Sequence, residues 1–193
     1  MIRWIRLASA VLVTALLSGC FALFVGGTAV GVGVAHDRRT TGTVMDDQTI
    51  EMKLYDVINR SLPPGNHINV TSYNGVVLLS GTAVSEQARQ QAEQIARGLK
   101  EPPVRLVHNE LVIGPASSAS VQSNDAVLTT KVKSALFGIQ ITDFDPTRIK
   151  VVTDNSIVYL MGLVRPNEAD AVANAASRVG GVRQVVTLFE YIN

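Results

Sequence analysis

The chain has 193 residues, of which 47% are hydrophobic, 5% aromatic and 17% charged, with a formal net charge of +1. So even a balance excludes the basic face that bulk nucleic-acid binding needs, and so few rings exclude stacking platforms for single strands. A single cysteine provides no internal disulfide, so stability must come from packed cores.

Residues 1–6 carry Arg3 and Arg6, and residues 7–17 run without a charge. This is the charged and apolar pattern of a secretory signal, too short to span a bilayer. Leu17-Ser18-Gly19-Cys20 follows and resembles the bacterial lipobox. That resemblance implies a diacylglyceryl group on the Cys20 thiol and removal of residues 1–19. Phe21 stands where an Asp would imply retention in the inner membrane, so the outer membrane is expected. Taking Arg3 and Arg6 from the 17 basic residues leaves 15, against 16 acidic ones, in the processed chain.

Residues 20–45 are expected to form a lipidated N-terminus and tether. The glycine-rich stretch 21–35 contains Gly27-Thr-Ala-Val-Gly31, a helix-packing spacing in a run too short to use it. It is expected to lie at or near the lipid surface. Arg38 and Arg39 follow closely enough to favour anionic headgroups, by about 1 kcal/mol each at most.

Residues 68–81 read Ile-Asn-Val-Thr-Ser-Tyr-Asn-Gly-Val-Val-Leu-Leu-Ser-Gly. Residues 149–162, at an offset of 81, repeat the pattern: two apolar β-runs around a turn, closed by glycine. Asn74-Gly75 is a strong hairpin turn because both residues can take positive φ, and Asn155-Ser156 is a weaker form. The repeat implies two like domains, 46–114 and 124–193, joined by a linker at 115–123 rich in Ser, Ala and Gly-Pro.

Within the first domain, Asp46-Asp47 precedes a helical pattern with Ile50, Leu54, Val57 and Ile58 on one face. The acids suit the helix start by capping and dipole. Pro63-Pro64-Gly65 ends that helix, and the hairpin follows. Ser85 then opens a helix with Ala88, Ala92, Ile95, Ala96 and Leu99 inward; Pro102-Pro103 closes it, and residues 104–113 form a third strand. The second domain repeats the order. Asn124-Asp125 stand at the start of a helix with Leu128, Val132, Ala135 and Leu136 inward. Pro166 opens the next, with Ala169, Val172, Ala173, Ala176 and Val179 inward, and Gly180-Gly181 closes it before a strand over 182–192. Each unit is α-β-β-α-β, an α+β domain whose three-stranded sheet carries two helices on one face. About 70 residues per unit can support a core, the more so if the units pack together.

The hairpin Asn-Gly-Val-Val-Leu-Leu-Ser-Gly, the alanine-rich helix, and Gly180-Gly181-Val182-Arg183-Gln184-Val185 resemble the BON domain. Two such domains behind a lipobox resemble the dual-BON outer-membrane lipoproteins of Gram-negative bacteria. The resemblance implies phospholipid binding and a role in envelope integrity, at the periplasmic face.

No enzyme chemistry is visible. His36, His67 and His108 lack metal-ligand spacing, so no metal or cofactor is expected. Ser80 and Ser85 have no histidine partner in the pattern. Gly81 and Gly162 each end the second hairpin strand and read as structural glycines, of positive φ or tight packing, ahead of ligand contact.

The repeats differ in their first helices. Glu51, Lys53, Asp56 and Arg60 mix signs in the first; the second has Lys131 and Lys133 with no acid after Asp125. Val127, Lys131 and Ser134 fall at helical spacing on the side away from the core. Apolar Phe137, Ile139, Ile141 and Phe144 follow. A lysine-bearing amphipathic helix with an apolar tip suits an anionic membrane. The expected phospholipid site is therefore Val127, Lys131, Lys133, Ser134 and Phe137, held near the bilayer by Cys20. A rival is that Phe137, Ile139 and Ile141 only close the core. A rival function is a protein-interaction adaptor whose exposed face meets outer-membrane assembly proteins.

Overall fold

The structure, a computed structural model, describes residues 37–193. The signal sequence, Cys20, the glycine-rich stretch and His36 lie outside the described residues. Among the described residues no helix is long and apolar enough to cross a membrane.

The first helix, α1 (Thr41–Ser61), starts earlier than the acidic pair suggests because Thr40 caps it, its hydroxyl accepting the Thr43 N–H at 3.1 Å. Ile50, Leu54 and Ile58 are buried, whereas Val57, expected beside them, is exposed. Leu62, ahead of two prolines, is extended and ends the helix. Strands β1 (His67–Tyr73) and β2 (Val76–Ala83) form an antiparallel hairpin. Asn74 and Gly75 take φ of 54° and 73°, the left-handed pair that matches strand twist. Ser85 caps α2 (Glu86–Gly98), which buries Ala88, Ala92 and Ala96. The third strand is broken into β3 (Leu106–Asn109) and β4 (Val112–Ile113), both parallel to β2.

The second domain has the same order. Ser118 caps α3 (Ala119–Leu136), so the expected linker contributes to this helix, as the expected tether does to α1. A short 3-10 turn, Pro146–Arg148, leads into β5 (Lys150–Asp154), antiparallel to β6 (Ile157–Val164). Asn155 and Ser156 also take positive φ, 48° and 62°. Pro166 opens α4 (Pro166–Ser177), and β7 (Gln184–Tyr191) runs parallel to β6. Gly181, at φ 103°, makes the turn between them.

Strands β2 and β6 are central in their sheets. Alternation sends Val77, Leu79 and Ala83 of β2 into a core under α1 and α2, and Val158, Leu160 and Val164 of β6 into its counterpart under α3 and α4. The opposite faces meet each other. Tyr73, Val76 and Leu78 pack with Tyr159 and Met161, flanked by Val152, Ile157, Leu163, Val186 and Leu188. The domains are thus joined sheet to sheet, in four layers with helices outside. Polar pairs fasten the rim. Tyr73 Oη donates to Arg148 O at 3.1 Å, Asn74 Nδ2 to Glu190 at 2.8 Å, and Lys150 pairs with Glu51 at 3.3 Å.

Candidate functional site

The acidic pairs do not begin helices. Asp47 and Asp125 lie inside α1 and α3, buried, and each holds the hairpin turn of its own domain. Asp47 accepts the N–H groups of Asn74 and Gly75 at 2.7 and 2.8 Å and the Ser72 hydroxyl at 2.6 Å. Asp125 accepts those of Asn155 and Ser156, both at 2.8 Å. A carboxylate satisfies two turn amides that a hairpin of this type leaves unpaired. The capping reading is therefore corrected.

The arginines expected to face lipid headgroups are tied into the fold instead. Arg38 binds Glu168 through two 2.6 Å contacts and donates to Leu163 O at 2.6 Å. Glu168 is fully buried and also accepts the Arg165 N–H at 2.8 Å. The hydrogen bond from Arg38 holds the Glu168 carboxyl below the usual carboxylate range, against the opposing effect of burial. Arg39 pairs with Asp47 at 2.8 Å, and its guanidinium lies 3.8 Å from the centre of the Tyr73 ring. Adjacent residues thus grip both domains. Nothing in composition or periodicity pointed to this, because Glu168 is 130 residues from Arg38 and the eight-residue separation of Arg39 and Asp47 matches no helical pair spacing.

Helix α3 and its C-terminal end carry the residues expected to meet phospholipid. Its buried stripe of Leu128, Val132 and Leu136 leaves Val127 and Phe137 exposed at 52% and 67%. Lys131, Lys133 and Ser134 are exposed as well. At about 100° per residue, Lys131 and Lys133 fall on opposite flanks of the outer face, with Val127, Ser134 and Phe137 between them. Among the described residues neither lysine has an ion-pair or hydrogen-bond partner, whereas Lys53 in α1 donates to Glu101 O at 2.7 Å. The apolar tip divides. Ile139 and Phe144 pack on the core, and Phe137 stays outside it.

The helix has a defined polarity in its domain. Asp125, near its start, holds the β5–β6 turn, so Phe137 at its far end lies away from that turn. Arg38 is fastened to Leu163 and Glu168 at that same far end, where β6 closes and α4 starts. Sequence reasoning missed a second exposed stripe, Met45, Met52 and Tyr55 on α1. Spacing marks its positions, but the core-facing residues between them dominate the pattern.

Ser85 serves as a helix cap, its hydroxyl accepting the Ala88 N–H at 3.2 Å, and Ser80 is buried in β2. Gly81 takes φ 113°, and a Cβ there would run into the carbonyl oxygen of His67. Gly162 is not left-handed; its Cβ would lie 3.0 Å from Ile149 Cδ1 and 3.3 Å from Arg148 O. Among the described residues no group of three or more His, Cys, Asp or Glu is placed to hold a metal ion.

The BON domain family model matches residues 46–115 and 124–193. The chain is 37% identical over 185 residues to Outer membrane lipoprotein DolP of Haemophilus influenzae, covering 93% of this chain and 92% of that protein. It is 34% identical to the 21 kDa hemolysin of Actinobacillus pleuropneumoniae, over 81% of this chain and 79% of that one. Osmotically-inducible protein Y of Escherichia coli is 28% identical, over 81% of this chain and 78% of its own.

Proposed function

This chain belongs to the BON domain family, with two copies in tandem, and from that premise we propose that it binds anionic phospholipid without catalysis, through α3 of its second domain. It is an outer-membrane lipoprotein, as its similarity to the Haemophilus protein indicates. In this reading Cys20 carries the lipid. The outer face of α3 then lies on the membrane, Phe137 and Val127 entering the headgroup region and Lys131 and Lys133 reaching phosphates on either side. The first domain braces the second through the shared sheet interface, and the whole supports envelope integrity.

The observation that carries this is the exposed apolar strip of α3 between two unengaged lysines. The place of Arg38 supports it. The chain enters the domains at the end of the second domain that carries Phe137. The 18 residues from Cys20 to Arg38 can span at most about 60 Å, which keeps this end within reach of the bilayer. Two lysines contribute about 1 kcal/mol each, and inserting one ring and one valine adds roughly 2–3 kcal/mol. That sum alone gives weak binding, on the order of millimolar, so the anchor supplies the remainder by raising local concentration.

The test is co-sedimentation of residues 38–193 with vesicles of anionic or zwitterionic lipid. Binding to anionic vesicles alone, weakened at least about tenfold by Lys131→Glu/Lys133→Glu with an unchanged melting temperature, is expected. Equal binding by the double variant would remove α3 from the reading. The adaptor alternative is favoured by one feature, the exposed Met45, Met52 and Tyr55 of α1. A stable protein partner lost in Met52→Asp, with no vesicle binding, would establish it.

A further inference from the structure

The two domains pack about a pseudo-two-fold relation, and its two ends are not alike. Residues Tyr73 and Asp154 correspond, each directly preceding its hairpin turn, and Asp47 and Asp125 correspond as the carboxylates that hold those turns. Likewise Tyr73 meets Arg148 of the other domain, and at the opposite end Asp154 lies by His67, the counterpart of Arg148. At the first end a guanidinium is present. Arg39 pairs with Asp47 and lies over Tyr73.

Arg39 stands eight residues before Asp47, and the residue eight before Asp125 is Ser117. At that second end is a cleft of about 330 Å³, lined among others by Ser117, Asp125, Thr129, Asp154, His67 and Asn69. It lies where Arg39 would be if the relation were complete. No ion pair among the described residues engages Asp125 or Asp154. Among the described residues the Asp154 carboxylate accepts one hydrogen bond, a 3.4 Å contact from Asn69 Nδ2. Burial, and then the charge of Asp125, raise its carboxyl above the usual range, outweighing the opposing Asn69 hydrogen bond and the charge of His67.

We propose that this cleft at the domain junction is a receptor site for a guanidinium group, the side chain of an arginine presented by another polypeptide. The first repeat shows the binding mode in place. A buried turn-holding aspartate takes the guanidinium, and the residue before the turn lies beside it. In the second repeat that residue is Asp154, so a second carboxylate replaces the ring face. Two carboxylates with side-chain oxygens of Ser117 and Thr129 offer acceptors for a planar five-donor group better than for a point-charge ammonium. The cleft is lined by the start of α3 and includes none of Val127, Lys131, Lys133, Ser134 and Phe137, so it does not depend on lipid binding by them.

The test uses the full chain in detergent, followed by amide NMR at Asn69, Thr129 and Asp154. The probe is N-acetyl-arginine amide, with the citrulline and lysine analogues as neutral and ammonium controls. Saturable shifts with a dissociation constant on the order of a few millimolar are expected for arginine. Citrulline should give none, and Asp154→Asn should abolish the response. Ser117→Arg should fill the cleft from within, raise Tm by about 3 °C and prevent titration. A peptide carrying a central arginine should bind at least as tightly as the free probe. No saturation, an equal response to lysine or citrulline, or full titration of Ser117→Arg would overturn the proposal. If Ser117→Arg does not fold, Asp154→Asn decides alone, since retained arginine binding in that variant is contradictory.

Discussion

Gly81 and Gly162 occupy one place in the repeat yet carry different constraints. Gly81 combines left-handed φ with a backbone oxygen in the path of any Cβ. Gly162 meets chiefly the far end of Ile149, which can shift. Gly81→Ala should therefore destabilise by about 3 kcal/mol or more, and Gly162→Ala by about 1 kcal/mol, in urea unfolding. Equal losses would mean that the shared position, and not local geometry, sets the requirement. The recurring glycine was legible in the sequence, but not as the strand end expected: β2 runs on to Ala83 and β6 to Val164. Nor was the difference between the two legible, because it lies in φ and in one neighbouring carbonyl. The aspartates show the converse. Their recurrence was plain, and so was their nearness to a helix. Their role was misread because Thr40 and Ser118 start those helices earlier, turning presumed caps into interior residues that reach the turns.

Among the elements, the segment ahead of α1 is held more firmly than a polar tether would be. Glu168 has no exposed side-chain surface, and Arg38 meets it with both terminal nitrogens. Removing one partner of a buried pair costs about 3–5 kcal/mol. The folded Glu168 carboxyl titrates below its unfolded value, so its contribution is fully present above the unfolded pKa of about 4.3 and is lost as pH falls through the folded value. The stability gap between the native protein and Glu168→Gln should accordingly be large at pH 7 and shrink steadily below about pH 4. A gap independent of pH would show that packing, not the ion pair, holds this end. Helix α3 was more legible. Its inward stripe follows from period alone, and the same count places Val127, Lys131 and Ser134 outward. The split of the tip was hidden, since Phe137, Ile139 and Phe144 are alike in sequence and differ only in where the loop turns.

For the whole molecule, the sheet-to-sheet junction explains why β2 is buried along its entire length and β6 nearly so. The runs Val-Val-Leu-Leu and Ile-Val-Tyr-Leu-Met carry apolar residues on both faces, which is the mark of strands covered twice. Each helix pair accounts for one cover. The second cover is the other domain, and sequence periodicity cannot name a partner, so the junction and the cleft at its rim became visible only in three dimensions. The junction leaves both first helices on the outside, one bearing an apolar strip between lysines and the other Met45, Met52 and Tyr55. Membrane binding through the second domain requires that these two faces behave differently. The only tryptophan is Trp4, so residues 38–193 have none and accept a single reporter. The direct measurement is tryptophan emission of Phe137→Trp and Met52→Trp on addition of anionic vesicles. The account predicts a blue shift for Phe137→Trp and none for Met52→Trp, with neither responding to zwitterionic vesicles. A shift confined to Met52→Trp, or none at Phe137→Trp while the protein is bound, would contradict it.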